Sequence, residues 1–162
     1  MDKNYFKKQL QGMSIIENES GYNIHLDFAV LGEKLDRAQD ELDAQVWQDV
    51  QKYMPVDSGN LKTETNVLNS NVRGKVYLYP PNSDYGHYQY EGVLYVDPIT
   101  GKGAFYSPTY GFWSRPRKQG IKKIPSNRML TYSQPNATAE WGKTAINNHS
   151  EQWLNVIKRA LS

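Results

Sequence analysis

The sequence of 162 residues contains no cysteine. Disulfides, thiolate metal sites and cysteine nucleophiles are therefore excluded together, and nothing in the chain calls for an oxidising compartment. Long apolar runs are missing too. No stretch is apolar enough to read as a membrane-spanning helix. The polar, charged residues 1–14 lack the apolar centre of a signal peptide and read as a flexible N-terminal segment. A cytosolic product is expected, so Asn18-Glu19-Ser20, Asn136-Ala137-Thr138 and Asn148-His149-Ser150 match the glycosylation pattern by chance. Acid is missing from one region in particular. Residues 98–139 hold no Asp or Glu but carry Lys102, Arg115, Arg117, Lys118, Lys122, Lys123 and Arg128. Acids gather earlier, at Glu33, Asp36, Asp40, Glu41, Asp43 and Asp49, so the net charge of +2 hides an asymmetry. Two solvated faces that never meet are the simplest reading. Head-to-tail complementarity between copies, or a basic loop facing DNA, are the sharper ones.

Enzymatic signals are also lacking. There is no Gly-rich phosphate loop, no His-Glu-x-x-His and no Gly-x-Ser-x-Gly. The three histidines, His25, His87 and His149, fall on different elements without ligand spacing. His87 and Glu91 have helical spacing, which reads as an ordinary hydrogen-bonded pair. A hydrolase would need a convergent constellation around His87 or His149. The expectation is a non-enzyme with no catalytic, metal or cofactor-binding residues.

What is present fits one domain over residues 1–162, with its core over about 22–161. Hydrophobic residues make up 38% of the chain and charged residues 22%, enough for one modest core. Tyr is frequent, with 12 copies, which suits strands and interfaces alike. Ile15-Ile16 and the alternating Tyr22, Ile24, Leu26 and Phe28 predict two strands around a turn, with His25 on the polar face. Leu31, Leu35, Ala38, Leu42, Val46, Val50 and Tyr53 recur at helical spacing, so a helix is predicted over 31–54, ended by Pro55. Trp47 widens its stripe, and its carboxylates read as solvent cover. Asp57 or Ser58 can cap a following turn, where Gly59 allows unusual dihedrals. Residues 65–68 and 75–79 predict a hairpin, and 93–96 another strand. Trp141, Ala145, Ile146, His149, Trp153, Ile157 and Leu161 predict a last helix capped by Asn136.

Residues 97–134 predict a projecting loop or hairpin, long enough to have a task. It interleaves aromatics with cations: Phe105, Tyr106, Tyr110, Phe112 and Trp113 with Lys102, Arg115, Arg117, Lys118, Lys122, Lys123 and Arg128. Aromatics can stack on bases while cations neutralise phosphates. The same residue types grip protein partners. A near-neutral chain without a nucleic-acid motif favours the protein partner.

Three segments carry a resemblance to a known family. Pro55-Val56-Asp57-Ser58-Gly59-Asn60-Leu61 resembles the Pro-x-Asp-[Thr/Ser]-Gly-x-Leu signature of phage tail-completion and minor capsid proteins. Tyr85-Gly86-His87-Tyr88-Gln89-Tyr90-Glu91-Gly92 resembles their Tyr-Ala-x-Tyr-x-Glu-x-Gly segment. Met129-Leu130-Thr131-Tyr132, with Pro135, Trp141, Ala145, His149 and Trp153, resembles the C-terminal pattern of the minor capsid family of siphophages that infect Gram-positive bacteria. The resemblance spans about residues 31–160. It implies an α+β fold, with a small antiparallel sheet packed on a long helix and a C-terminal helix. It also implies a homo-oligomeric ring, hexameric, in the virion neck between head connector or stopper proteins and the tail tube, with DNA in the channel as a further partner. No enzyme, cofactor or membrane is implied. The matched residues become scaffold: Gly59 for a turn, Leu61 for the core, Trp141 and Trp153 for helix packing.

Overall fold

The two longest amphipathic segments form the two longest helices and pack on each other. The computed structural model describes residues 2–19, 22–56, 59–109, 111–113, 120 and 122–162. In chain order these form α1 (Tyr5–Leu10), β1 (Ser14–Glu19), β2 (Tyr22–Asp27), α2 (Ala29–Val50), α3 (Asn60–Ser70), α4 (Asp84–Glu91), β3 (Val93–Val96), β4 (Phe105–Ser107), β5 (Gly111–Trp113), β6 (Ile124–Met129) and α5 (Trp141–Leu161). The fold is α+β, and its largest helix–helix interface joins α2 to α5.

Strand pairing is antiparallel throughout the described residues. The expected small sheet is spread over three two-stranded ladders, β1–β2, β3–β6 and β4–β5. The β4–β5 ladder lies between β3 and β6 in sequence, so it forms a hairpin carried on the β3–β6 base.

The core gathers Trp47, Val50, Met54, Leu61, Trp141 and Ala145, flanked by Val76, Leu78, Tyr79, Tyr90 and Trp153. Trp141 has no exposed surface, and its indole N–H donates to the carbonyl of Leu78 at 3.1 Å. That bond lets a polar-tipped ring sit at the centre without an unsatisfied donor. Each large apolar side chain buried in this way contributes about 1.5–3 kcal/mol.

Several local expectations are corrected. Residues 65–68 belong to helix α3, not to a hairpin. Leu61, Thr65 and Leu68 share one helical face, and the Thr65 hydroxyl donates to the Leu61 carbonyl at 2.6 Å, as helical Thr commonly does. The expected partner strand, around Tyr77, is tied to α3 by a side chain instead. Asn69 Nδ2 donates to the Tyr77 carbonyl at 2.9 Å, and its Oδ1 accepts the Tyr77 N–H at 2.7 Å. One carboxamide thus supplies the paired bonds of a neighbouring strand. Helix α2 stops at Val50, and tighter turns continue to Tyr53 before Pro55. Asn136 does not cap α5. Glu140 occupies the N-cap position, with φ 47° and no side-chain bond to the helix, and its N–H donates to the Tyr90 carbonyl at 2.7 Å. Ile146, expected on the buried stripe, is 54% exposed, and Val156 and Ala160 are buried instead. Residues Tyr5–Leu10, where the sequence suggests no element, form α1 against α2.

Candidate functional site

The basic hairpin holds the residues that the sequence marks for contact with a partner. The Phe105 and Trp113 backbones face each other in the β4–β5 ladder. Tyr110, Arg115, Arg117 and Lys118 lie outside the described residues. Lys102, Lys122 and Arg128 are exposed, and Lys123 is half-buried. Two of these cations converge on the turn at residues 100–103. Lys123 Nζ donates to the Gly103 carbonyl, and Arg128 Nη2 donates to the Gly101 carbonyl at 3.1 Å. Asp97, 3% exposed, holds the same turn from beneath, its Oδ1 accepting the N–H groups of Ile99 and Thr100 at 2.9 and 3.0 Å. Exposed Ile99, Tyr106, Ile124 and Met129 stand among the cations. This arrangement is a charged, partly apolar surface rather than a pocket.

The scaffold residues converge elsewhere. Gly59 is the N-cap of α3 in the left-handed region, at φ 81°, a conformation glycine adopts without strain. Asp57 and Ser58 lie outside the described residues. Leu61 enters the core beside Trp141, and Tyr90 meets the Trp141 ring edge-on at 4.8 Å. Backbone and side-chain bonds join the same segments. The Leu130 N–H donates to the Gly92 carbonyl at 2.7 Å, the Tyr132 hydroxyl to the Gln89 carbonyl at 2.6 Å, and the Thr138 N–H to the Tyr53 carbonyl at 3.1 Å. His149 Nε2 lies 3.0 Å from the Tyr53 hydroxyl, and Trp153 Nε1 donates to Asp49 Oδ2 at 2.8 Å.

The acids of α2, expected as solvent cover, include two buried carboxylates. Asp49 is fully buried and also accepts from Gln45 Nε2 at 3.0 Å and Lys52 Nζ at 2.6 Å. Burial alone would raise its pKa. The bonds from Lys52, Gln45 and Trp153 outweigh that and hold it below the usual aspartate range. Asp36, 6% exposed, accepts the N–H groups of Phe6 at 3.1 Å and Lys7 at 2.9 Å and pairs with Arg73 Nη1 at 3.0 Å. Burial opposes its charge as well, and the two backbone donors with the guanidinium again win, lowering its pKa. Arg73 reaches Asp40 and the carbonyls of Asp36 and Asp2. Its only sequence signal is the lone cation in the turn after α3.

His87 and Glu91 do pair across one turn of α4, Nε2 to Oε1 at 3.2 Å, with the Tyr95 hydroxyl donating to Glu91 at 3.0 Å. Among the described residues no group of three His, Asp or Glu side chains could hold a metal ion. A half-open cleft of about 460 Å³ lies between α2 and α3, lined by Trp47, Asn66, Asn69, Arg73 and Lys75. Trp47 Nε1 donates there to Asn66 at 2.8 Å, and Asn69 is already bound to Tyr77. Among the described residues no helix is long and apolar enough to cross a membrane. Comparison of the chain with models of protein families, with curated proteins and with solved structures finds no match.

Proposed function

We propose that this chain is a structural virion protein of a tailed bacteriophage, a head–tail connector or tail-completion component. It acts geometrically, assembling as a hexameric ring at the neck between the head connector or stopper and the tail tube. One observation carries the reading. The three segments that resemble the minor capsid and tail-completion family, far apart in sequence, meet in one core. Leu61, Tyr90 and Trp141 pack together there, and the chain around Gly92 and Leu130 is joined by a backbone hydrogen bond. A pattern that serves scaffold rather than chemistry belongs in such a place. Exposed Lys102, Lys122 and Arg128 lie outside that core, which suits a protein whose work is contact with neighbours.

Disruption of the gene in a phage that carries it tests this directly. Electron microscopy of the lysate should show filled heads and separate tails, and expression of the chain in trans should restore joined particles. Intact virions from the disrupted phage would refute the assignment.

A further inference from the structure

The acids of the α2 region all have partners within the chain. Glu33 pairs with Lys7 at 2.8 Å, Asp36 and Asp40 with Arg73, Glu41 with Arg159 at 3.7 Å, and Asp49 with Lys52 at 2.6 Å. Asp43 accepts from Gln39 Nε2 at 2.8 Å and from the Gly74 N–H. Glu33 and Asp40 stay exposed within these pairs, and Asp36 and Asp49 are buried away from a second copy.

The cations around the 100–103 turn are satisfied in a different way. Lys123 and Arg128 give their protons to the carbonyls of Gly103 and Gly101. A neutral carbonyl orients a donor without cancelling its charge. Lys122 and Arg128 are exposed, and residues 98–139 contain no carboxylate side chain to cancel them locally. Asp97, the acid at the base of the turn, is buried and accepts the N–H groups of Ile99 and Thr100. Exposed Lys122 and Arg128 thus place positive charge beside and on a two-stranded ribbon, β3–β6.

We infer that this ribbon and its turn bind the phosphate backbone of duplex DNA without reading sequence. Phosphates lie at regular spacing on a rod, and point charges on an open ribbon meet them without a pocket. A two-stranded ribbon is also narrow enough to lie along a DNA groove. Anchoring of Lys123 and Arg128 to the turn lowers the entropy lost on binding. Such binding does not depend on ring assembly.

Fluorescence anisotropy of the full chain with a labelled duplex of mixed sequence tests it, over a salt series starting near 50 mM. Affinity should fall linearly with salt on logarithmic axes. Lys122→Gln with Arg128→Gln should lower that slope by about 0.9 for each phosphate that is no longer neutralised. Far-UV circular dichroism should be unchanged, and Lys158→Gln on α5 should leave the slope as it was. No duplex binding at the lowest salt overturns the inference, as does a slope indifferent to the paired substitution. Binding to polyglutamate in preference to the duplex also overturns it and reassigns the surface to an acidic protein. None of these outcomes bears on whether heads and tails join in the disrupted phage.

Discussion

Asp49 lies fully buried between α2 and α5, where its carboxylate collects Gln45, Lys52 and the Trp153 indole. Removing it leaves the half-buried Trp153 indole N–H without its acceptor and frees Lys52 to solvent, so Asp49→Ala should cost about 1–3 kcal/mol in urea denaturation. The Asp49 and Asp36 carboxyls are both held below the usual aspartate range in the folded chain. The folded state therefore binds fewer protons than the unfolded one. The stability they supply is complete above the unfolded value of about 3.9 and is lost as pH falls through the lower folded values. Denaturation free energy should drop steeply below about pH 4, and Asp49→Asn should flatten that drop. An identical pH profile in the variant would count against this role. Neither aspartate was legible as buried in the sequence. Helical periodicity marks where apolar side chains go, and an acid inside the stripe declares itself only when its donors, on α1, α5 and the turn after α3, are in place. Trp141 was legible, because a large apolar residue at helical spacing has one physical destination, whereas Leu61 was placed in the core by the family resemblance alone.

At the scale of elements, α1 depends on its neighbours. A six-residue helix is too short to stand alone in water, and none of its residues is buried. It is held by polar contacts: the Asp36 carboxylate on the N–H groups of Phe6 and Lys7, Arg73 on the Asp2 carbonyl, and Lys7 on Glu33. The close approach needs Gly32, where an added Cβ would lie 2.6 Å from Lys7 Cα. Gly32→Ala should detach α1 while α2 and α5 stay packed. In hydrogen exchange, residues 5–10 should lose protection and residues 141–161 should keep it. Equal protection of residues 5–10 in both proteins would contradict this. Helix α1 was not legible, since its cap comes from a residue some thirty positions away. The mistaken hairpin has the same cause: Asn69 satisfies the Tyr77 backbone as a strand would, and alternation around 75–79 cannot tell the two apart. The long helix, the first hairpin, the Val93–Val96 strand and the last helix were legible because each carries a full period of its own pattern.

For the molecule as a whole, the α+β class and the pairing of a long helix with a C-terminal helix follow from two amphipathic stripes that need each other. The charge asymmetry in the sequence becomes an asymmetry of use. Asp36 and Asp49 on α2 hold the chain together from buried positions, whereas Lys102, Lys122 and Arg128 remain exposed. Patterning alone could not distinguish these roles, because the partner of Asp36 and Asp40 comes from a turn remote in sequence. A molecule whose family-like segments meet in its core, and whose Lys122 and Arg128 stay exposed, fits the neck role proposed for it. Immunogold electron microscopy of intact virions, with antibodies against this chain, tests that assignment most directly. Gold should cluster at the head–tail junction. Unlabelled virions, with a control showing the epitope accessible, would contradict it.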